Sequence, residues 1–367
     1  MNKRGFEEEE EDNYDDDSEN DNKAMREYDE NEVIDIYVFK PTTREELRNK
    51  ILDIVENNGD IPESWELGDI TNFMYLFQGI QDFSRLGFIQ NWDISSAVLL
   101  DGMFQGCSTF NLDLSNWAPQ LTNAISLASM FSGCTNFNQP LNDWNVENVE
   151  DMSGMFEDCV SFNQPLNDWV VENVEKMTLM FSNCTNFNQD LNGWVVENVD
   201  NMALMFYGCI AFNQSLNDWN VENVDNMSFM FKGCIAFNQP LNDWNVENVK
   251  NMSYMFYGCS SFNQPLNNWN VENVENMTGM FQDCIEFNQP LNNWNVDNVV
   301  MIDMFFNSGM ALHNMPVPKM TEADRQQRQL QTQQIAEQLQ QAKQIPLEEG
   351  VECRLCYNRL NNIEGPG

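Results

Sequence analysis

Tryptophan returns every 25 residues, at Trp144, Trp169, Trp194, Trp219, Trp244, Trp269 and Trp294, and cysteine keeps the same interval from Cys134 to Cys284. A unit of that length cannot bury an apolar face by itself. It does so only by stacking on its neighbours, so the period predicts a solenoid in which each unit contacts the one before and the one after. Counting the less regular units on either side gives about ten coils.

Two spacings alternate inside a unit. Trp219 and Val221 follow the two-residue spacing of a strand, whereas Met227, Met230, Phe231 and Cys234 sit at i, i+3, i+4 and i+7, one face of a short helix. Asp225 and Asn226 supply a polar start for that helix and Gly233 lies near its finish. The expected coil is therefore a short strand, a short helix and a return loop, which places the fold in the α/β class. The units before Trp144 are less regular, as end units of a repeat array are.

Ahead of the repeats, residues 36–39 read as a strand and residues 44–57 as a helix. Thr42 with Glu45, or Thr43 with Glu46, makes a capping box, and Leu47, Ile51, Ile54 and Val55 fall on one face. The domain reading is an acidic tail expected to be disordered at 1–35, an N-terminal cap at 36–64, the repeats at 65–310, and a C-terminal tail at 311–367. That last tail carries a Gln-rich helix from about 321 to 343, with too few apolar positions for a firm coiled coil.

Charge narrows the choice of partner. Against 58 acidic residues stand 18 basic ones, a formal charge of -40, which repels phosphate backbones and anionic headgroups. Nucleic acid and membrane surfaces are disfavoured, and a basic protein or a cation is favoured. Between Trp65 and Met310 the basic residues are Arg85, Lys176, Lys232 and Lys250, so the repeats themselves are acidic. No secretory signal and no apolar run of membrane-spanning length is present, so the expected setting is intracellular, with the repeat cysteines as reduced, packed thiols.

Aligned, Leu216, Trp219, Val221 and Val224 give Leu-x-x-Trp-x-Val-x-x-Val, a variant of the leucine-rich-repeat phrase, and residues 255–266 add Met-Phe-x-Gly-Cys-x-x-Phe-Asn-Gln-Pro-Leu. This resembles the BspA-like leucine-rich repeat surface-protein family, including its branch in mycoplasmas, other bacteria, protists and large DNA viruses. The likeness runs from about Phe39 to Phe306. It implies a leucine-rich-repeat-like solenoid and a role in adhesion or protein interaction, and it carries no catalytic residues. Unlike the surface members, the sequence shows no export signal or anchor.

Four groups of residues are candidates for chemistry. The tryptophans could stack sugars or bases, but their phase with Val221 and its equivalents assigns them to the core. Glu147, Glu172, Glu197, Glu222, Glu247, Glu272 and Asp297 recur at one point of successive units. Neighbouring strands lie about 4.8 Å apart, so this column is an acidic face for a Lys/Arg-rich partner or for calcium, or else a hydrated surface. Leu179, Leu204, Phe229 and Tyr254 occupy a variable column expected to point outward, as an apolar strip that a partner covers or as drift among copies.

Cys353 and Cys356 look like the first knuckle of a RING-type zinc module, which lacks its other ligands in this chain, so zinc would need two tails brought together. One histidine, His313, and no phosphate loop or nucleophile–base pair argue against an enzyme. The expected function is a non-enzymatic protein-interaction scaffold. The alternatives are a self-assembling or adhesion-type protein, or an adaptor with a partial zinc tail.

Overall fold

The hydrophobic spacing that reads as a helix is satisfied by a chain of β-turns instead. In the computed structural model, which describes residues 37–318 together with Leu330, Gln333 and Gln334, no α-helix or multi-residue strand occurs between residues 66 and 318. In the unit after Trp219, the N–H of Met230 donates to Met227 O at 3.2 Å, Lys232 to Phe229 O at 3.1 Å and Cys234 to Phe231 O at 2.9 Å. The third residues of the first and last of these turns, Phe229 and Gly233, have φ of 60° and 77°. A positive φ at that place is what a type II turn requires, and it stops a helix from propagating.

The intervening N–H groups leave the unit altogether. Met227, Phe229, Phe231 and Gly233 donate to the carbonyls of Asn251, Ser253, Met255 and Tyr257 in the next unit, at 2.7 to 2.9 Å. The same pattern gives nine parallel single-residue bridges, from Asn72 through Leu99, Ser126, Asp151, Lys176, Asn201, Asn226, Asn251 and Asn276 to Val300. The expected strand at Trp219 and Val221 is likewise absent, because Val224 N turns back onto Val221 O at 3.0 Å. Inter-unit pairing runs instead through the asparagine column that includes Asn226.

The side chains that the turns direct inward form one continuous core. Phenylalanines stack ring on ring, Phe206 on Phe231 at 5.6 Å and Phe231 on Phe256 at 5.6 Å, and tryptophans do likewise, Trp219 on Trp244 at 6.4 Å. Polar ladders run alongside. Asn238 N donates to Asn213 Oδ1 at 2.9 Å while Gln239 Nε2 donates to Asn213 O at 3.0 Å, and the next units repeat the arrangement. Recurrent asparagine thus satisfies backbone groups in the turns.

At the N-terminal end, β1 (Val38–Phe39) pairs in parallel with β2 (Ser64–Trp65), and α1 (Arg44–Glu56) lies between them in sequence. Thr43 is the N-cap and accepts from Glu46 N, which selects one of the two boxes the sequence allowed. Leu47, Ile51 and Ile54 are buried, and the polar side of α1 reaches the first unit. Arg44 Nη1 donates to Met74 O at 2.6 Å, and Arg48 donates to Leu76 O at 2.6 Å and Gln78 O at 3.4 Å. These carbonyls have no earlier unit to accept from, and guanidinium groups replace it.

Arg48→Met keeps the aliphatic stem and removes the donors. We expect a loss of about 2–3 kcal/mol, since the hydrogen bonds involve a charged group and their carbonyls are partly buried. Hydrogen exchange should show the fraying confined to the first units. Uniform destabilisation along the chain, or none, would count against the capping role.

Candidate functional site

The tryptophans of the repeat are only 3–4 % exposed, so no sugar or base reaches their faces. Six indole N–H groups donate to the leucine carbonyl 28 residues earlier, from Trp169 to Leu141 O at 2.8 Å through Trp294 to Leu266 O at 3.1 Å. Trp144 is the exception in this column. It follows the longer unit containing the 3-10 stretch Ser115–Asn123, and its Nε1 is buried with no partner among the described residues.

The eight repeat cysteines are free and buried, each thiol set against a phenylalanine carbonyl of the preceding unit, as Cys234 Sγ is to Phe206 O at 2.9 Å. Burial pushes every one of them up, Cys107 and Cys284 to about 12 and the others well above the ordinary thiol value. A protonated thiol sealed in the core is neither nucleophile nor metal ligand. Cys353 and Cys356 lie outside the described residues, as does the acidic tail. Of the Gln-rich segment only Leu330, Gln333 and Gln334 are described, each helical and exposed.

The acidic column is on the surface. Glu147, Glu172, Glu197, Glu222, Glu247 and Glu272 are exposed, and Asp297 is half-buried. Asparagines fix their backbone, on both sides at Glu147, Glu222 and Glu247 and on one side at Glu172, Glu197 and Glu272. Asn220 Oδ1 accepts from Glu222 N at 3.2 Å, and Asn248 Nδ2 donates to Glu222 O at 2.9 Å, so each carboxylate is held at the same place in its unit. Among the described residues the ion pairs are Lys40–Glu66, Lys50–Asp53 and Lys176–Asp151, none of which neutralises one of these six glutamates.

A second acidic column accompanies it and was missed in the sequence reading: Glu150, Glu175, Asp200, Asp225 and Glu275, all exposed, with Lys250 interrupting. Its backbone is bonded directly from unit to unit, Glu175 N to Glu150 O at 2.9 Å and Asp225 N to Asp200 O at 2.9 Å. Along the second column runs a shallow groove lined by Asn148, Glu150, Asn173, Glu175 and Asn198. The signal was available, since the residues recur at the same period three places after Glu147 and its equivalents. Among the described residues no three His, Cys, Asp or Glu side chains converge as a metal centre requires.

The apolar strip needs correction. Leu179, Leu204, Phe229 and Tyr254 are half-buried, each at a positive φ between 55° and 64°, and they lean along the stack. Phe229 stacks on Tyr254 at 5.0 Å, and Tyr254 covers Gly279 so closely that an added Cβ would meet its Cε1 at 2.5 Å. They also enclose a cation: Lys232 Nζ is 4.8 Å from the Tyr257 ring centroid, 5.4 Å from Phe229, 5.5 Å from Tyr207 and 5.9 Å from Tyr254. Apolar residues that do face solvent include Val160, Ile210, Ile235 and Ile285, 40–55 % exposed and each directly after a repeat cysteine, and Val170 and Val195 beside the glutamate column. A left-handed backbone turns the predicted strip sideways, which side-chain periodicity alone does not reveal.

These features define a repeat protein whose units share one buried core and present uniform columns at the surface. The family model described as "Mycoplasma protein of unknown function, DUF285" matches residues 45–126, 119–219 and 205–317, and the chain belongs to that family. No curated protein and no solved structure matches it. Among the described residues no helix is long and apolar enough to cross a membrane.

Proposed function

We propose that this protein is a non-enzymatic scaffold, a solenoid of about ten coils whose acidic face binds a Lys/Arg-rich segment of a partner protein. The observation that carries this reading is the pair of exposed carboxylate columns, the second of which lines a groove through Glu150 and Glu175 beside Asn148, Asn173 and Asn198. Like charges held at a fixed interval by backbone and asparagine hydrogen bonds cannot move apart to relieve repulsion. A row of cations at matching intervals relieves it, with little ordering cost on the scaffold side. The resemblance to BspA-like repeats agrees with a role in protein interaction. The sealed thiols, and a sole histidine, His313, in the short 3-10 segment Leu312–Asn314 beyond the last unit, favour binding over catalysis.

Titration calorimetry with an oligolysine peptide tests this. Binding should weaken roughly tenfold or more between low and physiological salt, because the attraction acts through screened fields. Replacing Glu150, Glu175, Glu172 and Glu197 together by glutamine should remove most of it while leaving the thermal transition in place, since these side chains face solvent. Affinity indifferent to salt, or unchanged in the quadruple variant, would overturn the acidic-face reading.

A further inference from the structure

The pairing between units has a direction. In every interior unit the N–H groups at alternate residues point to the following unit, and the carbonyls that receive them point back, as in the bonds from Phe229 to Ser253 O and from Tyr254 to Thr278 O. Along this segment the stack therefore begins in acceptors and ends in donors, whereas the bonds at the Glu150 column, such as Glu175 N to Glu150 O, run the other way. Three of the four acceptors at the first end are covered, since Arg44 and Arg48 donate to Met74 O, Leu76 O and Gln78 O.

The donor row is open. The last bonds of the ladder run from Met277, Gly279, Phe281 and Asp283 to the carbonyls of Val300, Ile302, Met304 and Phe306. The equivalent N–H groups of the final unit, on Met301, Asp303, Phe305 and Asn307, have no acceptor among the described residues. Asp303 and Asn307 keep the positive φ of their columns, 52° and 53°, so the edge retains the conformation of an interior unit. The core is open at the same place. Phe305 stacks on Phe281 at 5.8 Å as the last ring of the phenylalanine column, no described ring covers its other side, and Phe306 beside it is 62 % exposed.

We infer that this edge, the N–H row of Met301, Asp303, Phe305 and Asn307 beside the rings of Phe305 and Phe306, docks a segment of another protein laid parallel to residues 300–307. Such a segment presents backbone carbonyls at alternate residues and a large apolar side chain that continues the ring stack. Hydrogen-bond complementarity selects this occupant over a second copy. A copy arriving head to tail brings a row in which three of four carbonyls are already held by arginine, and a copy arriving tail to tail brings donors against donors. The site is distinct from the acidic face and uses no charge pairing.

The full-length protein is panned against a phage-displayed library of random dodecapeptides, and selected peptides are re-tested on Phe306→Glu. Residue-resolved amide exchange is followed alongside. Peptides that share a large apolar residue, slow exchange at the four N–H groups by about tenfold or more, bind independently of salt, and lose the Phe306→Glu variant would bear the proposal out. Protection elsewhere in that variant checks that it is folded. A library yielding no peptide that depends on the edge overturns the proposal. So do four amides already slow in the free full-length chain, since its own C-terminal segment or a second copy then holds the edge.

Discussion

Taken above pH 9, the protein should unfold cooperatively within about one pH unit, far more steeply than its surface charge alone would cause. The eight repeat thiols have an ordinary value of 9.0, and burial raises all of them in the folded state. Below pH 9 both states keep their protons and the shift has no consequence. Above it the unfolded chain releases protons that the folded chain retains, so stability falls as pH rises from 9 towards the folded-state values, about 12 for Cys107 and Cys284.

Each thiol costs about 1.4 kcal/mol one unit above its unfolded value, and eight together on the order of 11 kcal/mol. That rivals the whole stability of a typical domain, about 5–15 kcal/mol. Tryptophan fluorescence against pH reads the transition. Replacing Cys184, Cys209 and Cys234 by alanine should move its midpoint upward and flatten its slope, even though each replacement removes some packing. An unmoved midpoint would show that tyrosine and lysine ionisation drives the unfolding.

The second large effect is expected from Trp219→Ala. The ring is buried between Trp194 at 6.5 Å and Trp244 at 6.4 Å, and its Nε1 donates to Leu191 O at 2.9 Å. Truncation leaves a cavity costing about 3–5 kcal/mol, and the orphaned carbonyl adds about 1–3 kcal/mol. Because each unit is held only by its neighbours, the loss propagates along the stack. The thermal transition should fall by roughly 10 °C or more and broaden. Trp219→Phe, which keeps an aromatic ring but not the donor, should fall in between. A transition within a degree or two of the unmodified chain would mean that the neighbouring rings close the gap.

Much of the core was readable in advance because burial follows the period. Met227, Met230, Phe231 and Cys234 are buried in this unit as their spacing suggested, and so are Trp219, Val221 and Val224. The place of α1 followed from two alternative threonine caps and the spacing of Leu47, Ile51 and Ile54, and the structure chose Thr43 and ended the helix at Glu56. Of the candidate site, the glutamate column was read from its recurrence, but the companion column beginning at Glu150 was not. It is interrupted by Lys250, and nothing local marks its backbone as the place where successive units pair.

The sequence by itself determined the unit, its length, the side chains it buries and the residues at one of its two left-handed positions, where glycine, asparagine and aspartate recur from Gly79 to Asn307. It did not determine what the backbone does between those positions. A spacing of i, i+3, i+4 and i+7 is shared by a helical turn and by overlapping β-turns. The choice depends on whether the N–H groups of Met227, Phe229, Phe231 and Gly233 find acceptors within the unit or 24 residues away in the next. That is a tertiary contact. It decided that the unit is a turn ladder, that Leu204 and Phe229 lie along the stack while Ile210 and Ile235 face solvent, and that the ladder ends in donors with no acceptor among the described residues.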